Sequence, residues 1–413
     1  MTSRFRTLVA LLAFLLMAGS VGTALAQDNQ ETYDDISEKM ADIRGLDLLN
    51  PIDVEVKTRE QLQEETREEL EEDYPQTERD DDQRVLVAFG LMEPDQDLGD
   101  LYVDLLGEQV AGYYDPETDE MVVVASNDPN ELSAADQVTF AHEVVHALQD
   151  QHYDLESYDD LRLDGTSDQS LAVTAMIEGD ATLAQIDFIL GDIRLARVFL
   201  AELEGENIST DQLDSAPSII SETLLFPYGQ GQEFAQFLFD EGGWDLIDDA
   251  YANPPTTTEQ ILHPEKYLDG EEGIDLASPD PTTALGDGWR TIDEDTMGEF
   301  QISILLGEGG DLSERQVEVA SEGWGGDAYT VSATEDEEVI VWQSEWDSTE
   351  DAEEFGLALA ARESTRLDAD ADAEGDTFSI VADDVFVEIT VDGTSVSYIQ
   401  VPDEATLDLV LVD

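Results

Sequence analysis

Hydrophobic residues recur along this chain at two spacings, and each predicts a kind of element. Residues 110–114 and 121–124 are short apolar runs flanking Asp115-Pro116-Glu117-Thr118-Asp119, a turn rich in Pro and Asp, and together they predict a β-hairpin. From 132 to 149 the apolar positions Phe140, Val144, Val145 and Leu148 fall at helical spacing behind Ser133, a good N-cap residue. A stretch rich in Ala and Leu over 170–190 predicts a second helix, and shorter helices are expected at 219–225 and 231–240, before a Pro- and Thr-rich loop at 253–258. Upstream, 57–73 reads as an acidic helix, and order begins near the compact apolar run at 85–89.

From about residue 291 the texture changes. Short helices are expected at 300–306 and 312–320, and a strand at 339–342. Ser348-Thr349-Glu350-Asp351 opens a helix with a capping-box pattern. Runs at 385–391 and 394–401 face each other across Asp392-Gly393, a strong hairpin signal. The fold class expected is α+β, in four parts. These are a signal peptide at 1–26, a peripheral, acidic, helical and partly mobile segment at 27–84, a mainly helical domain with a small edge sheet at 85–290, and a smaller α+β module at 291–413.

The first residues address the compartment. Arg4 and Arg6 precede an apolar run at 8–19, and Ala24-Leu25-Ala26 is a small-residue cleavage site, so the expectation is a protein exported after cleavage or, failing that, held by an uncleaved N-terminal anchor. The apolar run is short for a membrane span, and no stable membrane insertion is expected after cleavage. There is no cysteine, which excludes disulfides, thiolate zinc sites and cysteine nucleophiles. Charge then narrows the partners. With 17 basic and 100 acidic residues the net charge is −83, so nucleic acid and anionic lipid would be repelled. The 41% hydrophobic content argues against disorder, and a carboxylate shell of this density suits a salt-loving source, where about 1 M salt screens charge within roughly 3 Å.

The chemistry centres on His142-Glu143-Val144-Val145-His146. Residues i and i+4 share a helix face, so both imidazoles can aim at one Zn2+ ion, while Glu143 reaches the water that the metal activates and acts as general base. Of the four histidines in the chain three lie between 142 and 152, which makes a chance motif improbable. A catalytic zinc needs a third protein ligand. His152 has metzincin-like spacing, but Gln149 stands where that pattern wants a turning glycine. Glu178, in Ala175-Met176-Ile177-Glu178-Gly179-Asp180-Ala181 on the next helix, is the preferred alternative, with small neighbours that would let its helix approach the first.

Residues 139–152, followed by Glu178-Gly179-Asp180-Ala181, resemble a group of exported HExxH proteins related to the gluzincin or peptidase MA-like zinc peptidases. The likeness extends to 111–116, Phe226-Pro227-Tyr228, 260–267 and 323–327, and so covers most of 85–330. It implies a zincin-like catalytic domain with His142, His146 and Glu178 as zinc ligands. It also implies a small sheet whose edge, at 110–114 or 121–124, takes a peptide as an added strand. One departure stands out. Thr182 occupies the place where those enzymes carry an aspartate that orients the first histidine, which leaves Asp180 or Asp150 to support the ligands. Tyr228 and His263 are candidates for stabilising an oxyanion, against plainer readings as packing or turn residues. The expected function is an exported zinc-dependent peptidase acting on peptide or protein. The alternative is a non-catalytic exported or surface binding protein with a structural or vestigial metal site.

Overall fold

A computed structural model describes residues 29–411, apart from 59–60, 63–64, 66, 68–73, 110–111, 125–131, 164, 206–210 and 384. The expected signal peptide at 1–26 and most of the acidic helix expected at 57–73 lie outside the described residues. Among the described residues no helix is long and apolar enough to cross a membrane.

The fold is α+β. Its first half runs α1 (Gln30–Arg44), β1 (Asp53–Lys57), α2 (Gln76–Ala88), α3 (Leu98–Gln109), β2 (Gly112–Asp115), β3 (Glu120–Val124) and α4 (Ala134–Tyr153). There follow α5 (Ser167–Gly191), α6 (Ile193–Gly205), α7 (Ser218–Gly242), α8 (Trp244–Ala252), α9 (Thr258–Leu262) and α10 (Pro264–Asp269). The second half is an antiparallel sheet of β4 (Arg290–Asp295), β5 (Trp324–Ala333), β6 (Glu338–Trp346), β7 (Ala371–Glu374), β8 (Thr377–Val381), β9 (Phe386–Asp392) and β10 (Ser395–Val401), in the order β4-β5-β6-β10-β9-β8-β7. Helices α11 (Gly298–Gly307), α12 (Glu314–Ser321) and α13 (Thr349–Arg366) accompany it.

Local rules explain where α4 and α5 begin. Ser133 accepts from Asp136 N–H while the Asp136 side chain accepts from Ser133 N–H, a reciprocal capping box. Thr166 caps α5 by accepting from Gln169 N–H. The expected hairpin forms, with Tyr114 opposite Met121. A parallel partner was not expected: β1 adds beside β3, in the order β1-β3-β2. Strand β3 is therefore central, which removes 121–124 as a candidate edge and leaves β2 open on one side.

Two expectations change through packing. The helices expected at 219–225 and 231–240 are one helix, α7, which runs through Pro227. The proline removes one helical hydrogen bond, but the surrounding residues Phe226, Gly231, Phe234 and Ala235 are buried. Gly231 is no breaker here. A Cβ on it would stand 2.3 Å from the Ala175 carbonyl oxygen, and one on Gly179 would stand 2.0 Å from that of Gly231. These glycines let α5 and α7 touch backbone to backbone; the small residues beside Glu178 thus serve α7 as well as α4. The N-terminal segment is also not peripheral throughout. Tyr33, Ile36 and Met40 of α1 are buried with Phe140, Ala141 and Val144 of α4 in one apolar cluster, Tyr33 and Phe140 having ring centroids 4.6 Å apart. The largest apolar cluster runs from Tyr74 to Tyr398 and so joins the helices to the seven-stranded sheet.

Candidate metal centre

Helices α4 and α5 bring three ligand atoms together. His142 Nε2 lies 3.0 Å from Glu178 Oε2 and 3.1 Å from His146 Nε2, and His146 Nε2 lies 3.4 Å from the same carboxylate oxygen. A tetrahedral ion with bonds of about 2.0–2.1 Å has ligand–ligand edges of roughly 3.3–3.4 Å, so the triangle is close to that size. All three residues are buried, Glu178 completely. Among the described residues Glu178 Oε1 has no hydrogen-bond partner. A buried, unsatisfied carboxylate oxygen beside two imidazoles costs free energy that a cation would recover. The donor set of two imidazoles and one carboxylate therefore fits a divalent ion such as zinc.

Electrostatics describe the same pocket in its metal-free form. Burial opposes the charged form of His146, but the Glu178 carboxylate outweighs it and raises the imidazole to about 9. Burial likewise opposes ionisation of Glu178, yet His146 and His142 hold it down to about 2. The proton on His146 thus occupies the electrostatic role of a metal. Glu143, one residue beyond His142 and itself buried, has its carboxyl raised, chiefly by desolvation and further by Glu178, against the histidines and the backbone N–H of Tyr114 that donates to it. The open strand β2 is thereby tied to the general-base candidate.

The other candidates separate. Tyr228, on α7, stands beside the centre, its ring centroid 6.0 Å from that of His142, and it is 38% exposed. Desolvation, Glu178 and Glu143 raise its pKa, so its phenol keeps its proton and can donate. His263 is not gathered here. It sits between α9 and α10, where Nε2 meets Glu299 Oε1 at 2.9 Å, and it lines a different cavity of about 580 Å³ with Glu222 and Glu318. Its ring is engaged by a carboxylate from α11, which the sequence could not place. His152 is excluded as the third ligand: α4 continues to Tyr153, and His152 Nε2 meets the Asp47 carbonyl oxygen at 2.8 Å.

Support behind the ligands differs from both expectations. Gln149 Oε1 meets His146 Nδ1 at 2.8 Å, and Gln149 Nε2 donates to Asp180 Oδ2 at 3.0 Å. Asp180 thus acts through Gln149, not directly. Asp150 instead accepts from the Tyr114 hydroxyl at 2.8 Å, and the Thr182 hydroxyl has no partner. The spacing of His146 and Gln149 puts them on one helix face, a signal present in the sequence but read there only as a missing glycine.

Comparisons with known proteins bear on the other half of the chain. A family profile described as a domain of unknown function (DUF8575) matches residues 286–411, which hold the seven-stranded sheet and leave α4 and α5 outside. No curated protein matches the chain. A solved structure from Chloroflexus aurantiacus, described as "a putative hydrolase with a novel fold", is similar at 17% identity and a TM-score of 0.32, over 65% of this chain and 98% of that one. Likeness at that level says nothing of what this chain does.

Proposed function

We propose that this chain is an exported zinc-dependent peptidase that hydrolyses peptide bonds and works in high salt. The observation that carries the reading is the buried triangle of His142, His146 and Glu178 with Glu143 beside it. A purely structural site closes its fourth position and has no use for a base at its edge. Zinc, when held by these three residues, supplies a Lewis acid that polarises a carbonyl and makes water a nucleophile near neutral pH. Glu143, buried and raised, takes the proton of the attacking water and returns it to the leaving amine. Tyr228, protonated beside His142, would donate to the oxyanion. Strand β2, with one side open, suits an extended peptide laid along it as a further strand. The apolar run at 8–19 and the net charge of −83 support export and a saline medium, and the charge disfavours nucleic acid as partner.

The test is zinc content and hydrolysis of a broad peptide library by the mature protein in high salt, beside Glu143→Gln. The variant should keep zinc and lose about 10²–10⁴-fold in kcat/KM. Equal inertness of both proteins, with zinc bound, would sink the enzyme reading.

A further inference from the structure

Behind His146 lies a line of buried polar groups that leaves the two metal-binding helices altogether. Gln149 is fully buried, and its Nε2 donates both to the Ile177 carbonyl at 3.0 Å and to Asp180 Oδ2 at 3.0 Å. Asp180, also fully buried, accepts from the Tyr251 hydroxyl of α8 at 2.8 Å and from Arg44 Nε at 2.6 Å. Arg44 is the last residue of α1, itself fully buried, and its Nη2 reaches Asp248 Oδ1 at 2.6 Å. Its guanidinium also lies over the Trp244 ring, 4.7 Å from the centroid.

Polarity passes along this line because each group has one compatible role. Arginine can only donate, and an ionised aspartate can only accept. The Gln149 amide could otherwise flip, but Asp180 and the Ile177 carbonyl both demand its NH₂. Its oxygen is left facing His146, so Nδ1 must carry a proton, and Nε2 is the nitrogen that offers its lone pair once a metal displaces the proton there. We propose that Arg44, Asp180 and Gln149 form a positioning relay that holds His146 as the Nδ1–H tautomer, with Nε2 in the ligand triangle, and so sets zinc affinity. Arg44 acts by fixing the Asp180 side chain across 136 residues of sequence, its Nε on Oδ1 leaving Oδ2 to accept from Gln149. Helix α1 is then part of the working centre and not a covering that maturation could remove. The inference rests on the metal reading above.

The experiment measures zinc affinity by chelator competition and, in zinc-loaded protein labelled with ¹⁵N-histidine, the hydrogen exchange of the His146 Nδ1–H. Only four histidines contribute signals. Gln149→Leu should weaken zinc binding about 10–100-fold and expose that proton to fast exchange. Arg44→Met should move both readouts the same way, and Arg44→Lys, which still offers Asp180 a donor, should restore part of each. Should Arg44→Met not fold, Tyr251→Phe takes its place, since it removes one donor to Asp180 and spares the ion pair; it should accelerate the exchange to a smaller degree. Wild-type affinity and a protected Nδ1–H in folded Gln149→Leu and Arg44→Met (or Tyr251→Phe) would overturn the relay alone. A wild-type protein that binds no zinc would overturn the metal reading and the relay with it.

Discussion

The His142–His146–Glu178 centre and the cluster of Glu259, Glu271 and Asp347 each gather three ligand atoms within 4.8 Å of one another. In the second cluster Lys266 Nζ stands among the carboxylates, 2.7 Å from Glu259, 2.7 Å from Glu271 and 2.9 Å from Asp347. One of the three lysines in the chain is already in the place a cation would take. In the first cluster the ion pairs of Glu178 among the described residues are with the two histidines alone, and one carboxylate oxygen stays unsatisfied. In a chain with 100 acidic residues, acid density by itself says little about metals. What marks a centre is burial, nitrogen lone pairs and an oxygen with nothing to bond.

Removing one ligand tests this contrast with the largest effect. Glu178→Ala should lower zinc affinity by more than about 100-fold, since a total of roughly 10–16 kcal/mol is shared among about four bonds, whereas Glu271→Gln should leave a stoichiometry of one zinc unchanged. Two zinc ions per chain, or one lost with Glu271, would break the distinction. A smaller effect is expected from Lys266→Met, about 2–3 kcal/mol of stability in denaturant unfolding. Glu259 is buried and loses its partner, but Glu271 and Asp347 remain open to water, so the change stays below the ~3–5 kcal/mol of a fully buried pair. No loss of stability would mean that the lysine is not what neutralises the cluster.

The last effect is graded with pH. Glu178, held at about 2 from 4.5, contributes stability above pH 4.5 that is lost as pH falls through 2. His146, raised to about 9 from 6.5, contributes fully below pH 6.5 and loses that contribution as pH rises through 9. Metal-free protein should therefore melt progressively lower from pH 6.5 to 9, while zinc affinity climbs by about tenfold per unit as the displaced proton becomes easier to remove. Melting curves with and without zinc would diverge over that window; parallel curves would mean that His146 and the metal do not compete.

How much of this was legible depended on the reach of each interaction. The hairpin of β2 and β3 and the start of α4 rest on neighbours a few residues apart, and turn and capping rules anticipate them. Helix α7 was divided in expectation between 225 and 231, around Pro227, when it runs unbroken and Gly231 answers the Ala175 carbonyl of another helix. β1 alternates polar and apolar residues over 53–57, but alternation cannot announce a parallel partner 67 residues downstream, where Asp53 meets Glu120. His263 was free to be imagined anywhere until Glu299 held it.

The sequence alone determined that His142 and His146 share a helix face with Glu143 beside them, because i and i+4 share a face on any helix and Ser133 starts this one in register. Only the tertiary structure decided the rest. The closing of the triangle by Glu178, which the sequence only preferred, Gln149 and Asp180 over Asp150, and Arg44 behind them depend on helices that meet across 31 to 136 residues of chain. Such meetings are set by how apolar faces and close-packed glycines fit together, and no local pattern encodes them.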